Sequence, residues 1–361
     1  MKKTTLTTSL LLALASGSAM AQTQVSIYGV TDVGAYAKQL SGQDRMNRID
    51  SGVMETSFIG FRGSEDLGDG LRAIFDISSF VRLDTGEPTR GIPGEGFWSR
   101  GAFVGLTGGF GSLRFGRIGT LNFVNMFRFN PFGSSSTVSP MFLHTYLGSP
   151  SQPMVTGSGE TDSAWNNSLA YTSPTFGGAS VSLQAAPSEG PTAGRRVSAS
   201  VSYGGGPFAV MLSADKTSHA SLTYPLSLTN LPGALPPFTA TDYQTTQLGT
   251  SYDFGLVKLF GQWSRTEIKG MRPGPPGEKK IDLTTTQLGV NVPVGAGFVL
   301  LSAANTNKEQ SLAADQKRTT VTLGYDYFLS KRTDLYAVVM TDKVTDLARG
   351  TGYSAGIRHR F

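Results

Sequence analysis

Three arginines lie in stretches where polar and apolar residues alternate, each on the polar side: Arg62, Arg72 and Arg114. A guanidinium stays charged at physiological pH and holds a carboxylate or phosphate through paired N–H donors. Asp32 and Asp76 lie on the polar side of neighbouring stretches, where they would oppose that charge. These residues predict a polar surface that attracts anions.

Covalent catalysis finds much less support in the sequence. It requires a nucleophile, a base and an orienting group within hydrogen-bond reach. The chain has no cysteine and only three histidines, His144, His219 and His359, which fall in different segments. A hydrolase therefore stays an alternative interpretation, and we predict no catalytic site, metal or cofactor.

The composition is unusual for a water-soluble domain. Charged residues make up 16% of the 361 residues, and 45 residues are glycine. Ordinary soluble domains have about 25% charged residues and about 7% glycine. The formal net charge is +5, without a basic tract suited to nucleic acid. We therefore expect no nucleic-acid partner.

The first 21 residues, MKKTTLTTSLLLALASGSAMA, are charged, then apolar, then small. This order is typical of a secretory signal peptide. The apolar run is shorter than the roughly 20 residues that a membrane-spanning helix needs. We predict cleavage before Gln22 and a single domain over residues 22–361.

The rest of the chain repeats one pattern, about ten residues of alternating character followed by a turn. Short glycine or proline turns alternate with long polar loops. Sixteen alternating stretches are present, and they begin near residues 24, 55, 70, 98, 112, 164, 179, 195, 207, 243, 256, 283, 297, 317, 333 and 352.

An even number of strands, with short turns at one end and long loops at the other, is the layout of an antiparallel transmembrane β-barrel. Closure leaves no unpaired strand edge in lipid, and sixteen strands enclose enough space for an aqueous channel. A soluble sandwich or β-solenoid also contains alternating strands. The signal-like start and the lack of cysteine favour the barrel. Aromatic residues near the strand ends favour it as well, because membrane interfaces are rich in aromatic side chains.

Five stretches, in this order, are similar to the general porins of β-proteobacteria: QVSIYGVTDVG, GFRGSEDLGDGLRAIFDI, SRGAFVGLTGGFGSLRFGR, NNSLAYTSPTFGG and AGIRHRF. The resemblance implies a sixteen-stranded trimeric outer-membrane barrel for passive diffusion of small hydrophilic solutes, commonly with a preference for anions. It adds Arg100 and Arg117 to the candidate basic wall. Phe361, with Tyr353 in the same final strand, resembles the signal read by the barrel-assembly machinery.

The resemblance also implies that the third extracellular loop, residues 118–163, folds inward and narrows the channel. We expect this loop to lack regular secondary structure. Its candidate constriction residues are Phe123, Phe127, Arg128, Phe129 and Phe132.

The charge of this loop departs from the family pattern. Porins of this type usually carry loop carboxylates opposite the wall arginines. Here no Asp or Glu occurs from Ile118 to Gly159, and the acids Glu160 and Asp162 stand only at the far end. A wall position that is often arginine in the family is Phe58 here. The wall arginines therefore have little acidic counterweight.

We predict a water-filled, loop-constricted channel with a mild preference for anions, open to small anionic or neutral solutes. In a narrower hypothesis, rings on the loop favour organic acids with an apolar body; alternatively, these rings only pack the loop against the wall. Long loops at the mouth leave a receptor or adhesin function as a further alternative. We also expect a homotrimer in contact with outer-membrane lipid and lipopolysaccharide.

Overall fold

The computed structural model describes residues 24–90, 95–146, 163–188, 194–224, 238–271, 279–311 and 314–361. The predicted signal peptide, residues 1–21, lies outside these ranges. No helix in the described ranges is long and apolar enough to cross a membrane.

One antiparallel sheet contains all seventeen strands of the described residues, numbered β1 to β17 in chain order. Their bounds are Gln24–Lys38, Met46–Ser51, Phe58–Gly68, Leu71–Phe80, Gly101–Gly108, Gly111–Gly119, Ala164–Thr172, Ala179–Ala186, Arg195–Gly205, Phe208–Tyr224, Phe238–Asp253, Lys258–Met271, Lys279–Val294, Gly297–Gln310, Gln316–Phe328, Thr333–Val344 and Gly350–Arg360. Two helices, α1 (Leu121–Arg128) and α2 (Pro140–Thr145), lie between β6 and β7.

The sheet closes into a barrel through β1. One edge of β1 pairs with β17, and its other edge pairs with β3 and then β2. Because β2 and β3 follow one another along the same edge, they fill one position of the wall. The barrel is therefore sixteen-stranded and antiparallel, which confirms the predicted fold.

The two faces of the wall have opposite character. On β1, Val25 and Ile27 are each 60% exposed, whereas Asp32 is fully buried. On β17, Ile357 is exposed and Arg358 is buried. The outer face is thus apolar and the inner face polar, as expected for a barrel surrounded by lipid.

The predicted strand starts agree with the observed ones to within three residues, except for β11 and β13. These two strands begin earlier, at Phe238 and Lys279. Their extra residues continue the backbone pairing, for example Thr239 with Met271 and Lys279 with Gly270. The apolar alternation that marks a strand in lipid is weak there, so the sequence predicted loop instead.

The strand β2 and the inward segment after it, residues 52–57, were not predicted. The Asp32 carboxylate accepts hydrogen bonds from the backbone N–H groups of Val53, Met54 and Glu55 at 3.1, 3.0 and 2.8 Å. Tyr336 Oη donates to the same carboxylate at 2.7 Å. Successive N–H groups around one anion form a stable turn, so Asp32 holds this segment inside the barrel.

Asp32→Asn tests this clamp. The substitution removes the charge and places an NH2 donor among other donors, and each hydrogen bond to a charged group contributes about 1.5–3 kcal/mol. We expect the free energy of unfolding, measured by denaturant titration in lipid vesicles, to fall by about 2–4 kcal/mol. Asp69→Asn is the control, because Asp69 lies in an exposed turn with φ 51° that asparagine also adopts. Equal losses in the two variants would contradict the clamp.

Candidate functional site

The loop predicted to be irregular contains both helices in its described part, so that prediction was wrong. Thr120 and Ser139 cap the helices, since their side-chain oxygens accept the N–H groups of Phe123 and Phe142, each at 3.2 Å. Pro140 occupies the first helical position, which suits its fixed φ. A Ser-Pro pair and a threonine three residues before an aromatic were the available sequence signals.

Polar side chains attach α1 to the inner face of the wall. Asn125 is fully buried and its Nδ2 donates to Met211 O at 3.1 Å and Ser213 Oγ at 2.8 Å, both on β10. From β12, Gln262 Nε2 donates to Met126 O at 3.1 Å and Phe129 O at 2.8 Å. The wall thus supplies donors to carbonyls at the end of α1 that lack partners within the helix.

His144 attaches α2 to β14 and β15. Its Nδ1 lies 2.7 Å from Thr306 Oγ1 and its Nε2 lies 2.8 Å from Thr320 Oγ1. Thr320 donates its own proton to Asp342, so it accepts from Nε2–H, and Nδ1 accepts from Thr306. Burial, reinforced by the positive charge of Arg318 and opposed by Asp342, lowers the pKa of His144 to about 3. The imidazole that holds α2 is therefore neutral.

Between this loop and the wall lies a cavity of about 960 Å³. Eight basic and three acidic side chains line it. The basic residues are Lys38, Arg48, Arg82, Arg90, Arg100, Arg114, Arg117 and Arg128, and the acidic residues are Asp50, Glu55 and Asp76.

Three of the five predicted wall arginines line this cavity: Arg100, Arg114 and Arg117. Arg62 and Arg72 are not among the lining residues. The guanidinium of Arg62 lies over the ring of Tyr28, 4.6 Å from its centroid. Arg72 donates to Ser64 at 2.6 Å, close to the short turn between β3 and β4.

A local irregularity turns Arg117 toward the cavity. By simple alternation Arg117 would share the outward side of β6 with Phe115. The pairing of β6 with β7 shifts between Gly116 and Ile118, and Gly116 has φ 136°. A glycine is required there, because a Cβ would meet Ala102 O at 2.2 Å.

The five candidate loop residues divide into two groups. Phe123, Phe127 and Arg128 line the cavity. Phe129 and Phe132 are buried between the loop and the wall, so for these two the packing interpretation holds.

Among the predicted acids, only Asp76 lines the cavity. Asp32 is absent from the lining and serves the clamp described above. Glu160 and Asp162 lie outside the described residues.

Sequence reasoning missed four basic lining residues: Lys38, Arg48, Arg82 and Arg90. Arg48 belongs to the unpredicted strand β2, and Arg82 and Arg90 lie in a connection where alternation gives no direction. Each of these three arginines is paired with an acid, for example Arg48 with Asp50 at 2.6 Å.

Arg100, Arg114 and Arg128 differ from these, because no described carboxylate lies within ion-pair distance of them. The guanidinium carbon of Arg100 lies 3.5 Å from the ring centroid of Phe58. The guanidinium of Arg114 lies 5.6 Å from the ring centroid of Phe103. Aromatic faces stabilise a cation by about 0.5–2 kcal/mol without neutralising its charge. The described residues contain no group of three or more acidic or histidine side chains arranged to hold a metal ion.

The barrel is closed and antiparallel, apolar outside and polar inside, and charged side chains line a cavity between its wall and the loop. These features define a transmembrane channel protein. The model of the Gram-negative porin family matches residues 7–347. The chain belongs to this family, so it is an outer-membrane channel and not an enzyme.

Individual relatives agree with this assignment. Outer membrane porin protein 32 of Delftia acidovorans is 32% identical over 377 residues, which cover 96% of this chain and 97% of that protein. An outer membrane porin of Bordetella pertussis is 27% identical over 414 residues and the full length of both chains. The structure of the anion-selective porin from Comamonas acidovorans superposes with a TM-score of 0.75 at 27% identity, covering 94% of this chain and 100% of that one.

The neutral state of His144 predicts that the loop loosens in acid. Its pKa is about 3 in the folded protein and about 6.5 in an exposed histidine. The attachment is therefore complete above pH 6.5 and weakens as the pH falls toward 3, by about 3 kcal/mol at pH 4.5. We expect closures and current noise of single channels in planar bilayers to increase between pH 7 and pH 4.5.

His144→Gln cannot take up a proton and should lose most of this pH dependence. His359→Gln is the matched control, because His359 lies exposed on the outer side of β17. An identical pH response in the His144 variant and the unmodified protein would show that another group is responsible.

Proposed function

We propose that this porin is a diffusion channel that prefers anions, and that it admits small anionic and neutral hydrophilic solutes. The excess of eight basic over three acidic side chains around one cavity carries the proposal. Charge in a narrow passage between low-dielectric walls raises the local concentration of counter-ions. The similar Comamonas protein is an anion-selective porin, which supports the same preference here.

The sides of the cavity differ in charge. The described part of the loop offers no carboxylate, and α1 faces the cavity with Val124, Phe127 and Arg128. Strands β7 to β9 contribute neutral hydroxyls to the lining, from Thr172, Ser180, Ser182, Ser200 and Ser202. A solute therefore meets fixed positive charge on one side and weak hydrogen-bonding groups on the other. Such weak, repeated contacts let a solute enter and leave again.

Arg128→Gln tests the charge preference. One unit charge about 5 Å from an ion in water is worth about 0.8 kcal/mol, so its loss should lower the anion-to-cation permeability ratio about two- to fourfold. The ratio follows from reversal potentials under a KCl gradient. Arg265→Gln, on the outer side of β12, should leave it unchanged. A preference for cations in the unmodified protein would overturn the proposal.

We also propose that the seam strands form the subunit interface of a homotrimer. Ala35, Ala355 and Ala337 pair side by side across β1, β17 and β16, all on the outer face. Small outward side chains let neighbouring barrels approach closely.

For lipopolysaccharide, we propose contact with an outward charged cluster on β12 and β13. Lys280 Nζ lies 2.7 Å from Glu267 and 3.0 Å from Asp282, and Arg265 is more than half exposed. This cluster shares the outer side of the wall with Trp263. Lysine and arginine beside a membrane attract phosphorylated headgroups.

The end of the chain supports a role for Phe361 in assembly. Its backbone exchanges two hydrogen bonds of 3.1 Å with Gly29 and closes the seam. We expect Phe361→Ala to lower the outer-membrane level of the protein several-fold, whereas Tyr252→Ala, which changes an exposed aromatic on β11, far from the seam, should do so less. Native mass spectrometry of the same membrane extracts should show three copies with bound lipopolysaccharide. An unchanged membrane level of the Phe361→Ala variant would contradict the role of Phe361 in assembly. A lipid-free monomer would contradict the homotrimer and the contact with lipopolysaccharide.

A further inference from the structure

We propose that the cavity holds a binding site for planar aromatic carboxylates of the benzoate type, formed by Arg100, the rings around it and the cavity face of α1. This inference rests on the proposed function, because it names the class of anion that the channel retains best. Arg100 keeps free donors in the cavity, α1 exposes apolar side chains to the same cavity, and a flat anion fits both features.

Arg100 is held so that its charge stays available. Phe58 is buried and stacks on the guanidinium, and the ring of Tyr28 meets Phe58 edge-on with centroids 5.6 Å apart. Nη1 of Arg100 lies 3.3 Å from Ser78 Oγ and 3.4 Å from Tyr28 Oη. The guanidinium makes no further hydrogen bond within the described ranges and lines the cavity. Its other N–H donors are thus available to a carboxylate.

Helix α1 buries polar side chains against the wall and exposes apolar ones to the cavity, which is the reverse of an ordinary amphipathic helix. Its asparagines, Asn122 and Asn125, are buried against the wall, whereas Val124 and Phe127 are 43% and 45% exposed toward the cavity. Apolar groups in water raise the free energy, and apolar surface with a few fixed polar groups is typical of a ligand site. The asparagines explain how the helix is held. The exposure of Val124 and Phe127 is explained if the apolar part of a solute contacts them as it passes.

A flat aromatic acid satisfies both features. Its carboxylate can take paired N–H donors from Arg100, while its ring can stack on Phe127 or on an exposed guanidinium face. Arg114, which lies near Phe103, supplies a second guanidinium in the same cavity. Chloride can use only the charge, and a non-planar acid cannot stack. Asp76, held by Tyr28 and Ser78, limits the residence of any anion by repulsion.

The test compares benzoate with cyclohexanecarboxylate, which has the same charge and number of carbon atoms but is not planar. Each potassium salt is added to KCl while single-channel current is recorded in planar bilayers at pH 7. We expect benzoate to interrupt the current at an about fivefold lower concentration than cyclohexanecarboxylate, the ratio that one cation–π contact would give. Acetate should have the weakest effect of the three.

Two variants assign the effect to the site. Phe127→Leu and Arg100→Lys should each reduce the benzoate preference to within about twofold, since one removes a ring and the other the planar cation. Phe115→Leu is the matched control, because Phe115 is exposed on the outer face of β6. An unchanged preference in the first two variants overturns the site, as does equal block by both acids in the unmodified protein. A reversal potential that shows cation preference would instead overturn the proposed function itself.

Discussion

Backbone pairing without water is the constraint on which the rest of this structure depends. In lipid each unpaired N–H or C=O group costs several kcal/mol, so the first and last strands must meet. They do so through β1 and β17, and the final residue completes the seam by bonding to Gly29. Inside the seam Arg358 binds Asp334 and Asp326 at 3.1 and 2.8 Å. Its buried charge is thus matched by acids from β16 and from β15, the next strand beyond it.

Closure at this size creates a second problem, because the interior is too wide to be filled by wall side chains alone. Helices α1 and α2, between β6 and β7, pack against strands β9 to β11 and β13 to β15. Their attachment uses amides, hydroxyls and a neutral imidazole, so it consumes few of the charged groups in the interior. Arg100 and Arg114, on the wall side of the cavity, therefore keep their charge.

The sequence predicted the fold well because alternation over about ten residues is a strong and repeated signal. It predicted the inner direction of Arg114, which lies within a regular strand. It could not direct Arg117, whose orientation depends on a shift at Gly116, or find the role of Asp32, whose partners are backbone groups in a segment that breaks the alternation. Nor could composition separate Phe127 from Phe129, since a difference of two residues along the chain decides which ring faces the cavity.

An arginine that lines a channel acts differently on solutes when an aromatic ring holds it than when a carboxylate holds it. A carboxylate fixes the guanidinium and cancels its charge, as Asp50 does for Arg48. A ring such as Phe58 fixes Arg100 and leaves the charge to act on solutes. Each such contact with a passing anion is worth on the order of 1 kcal/mol, enough to enrich one class of solute and too little to retain it. Phe58 therefore holds Arg100 without removing its charge, and this is the condition that the proposed preference for flat anions requires.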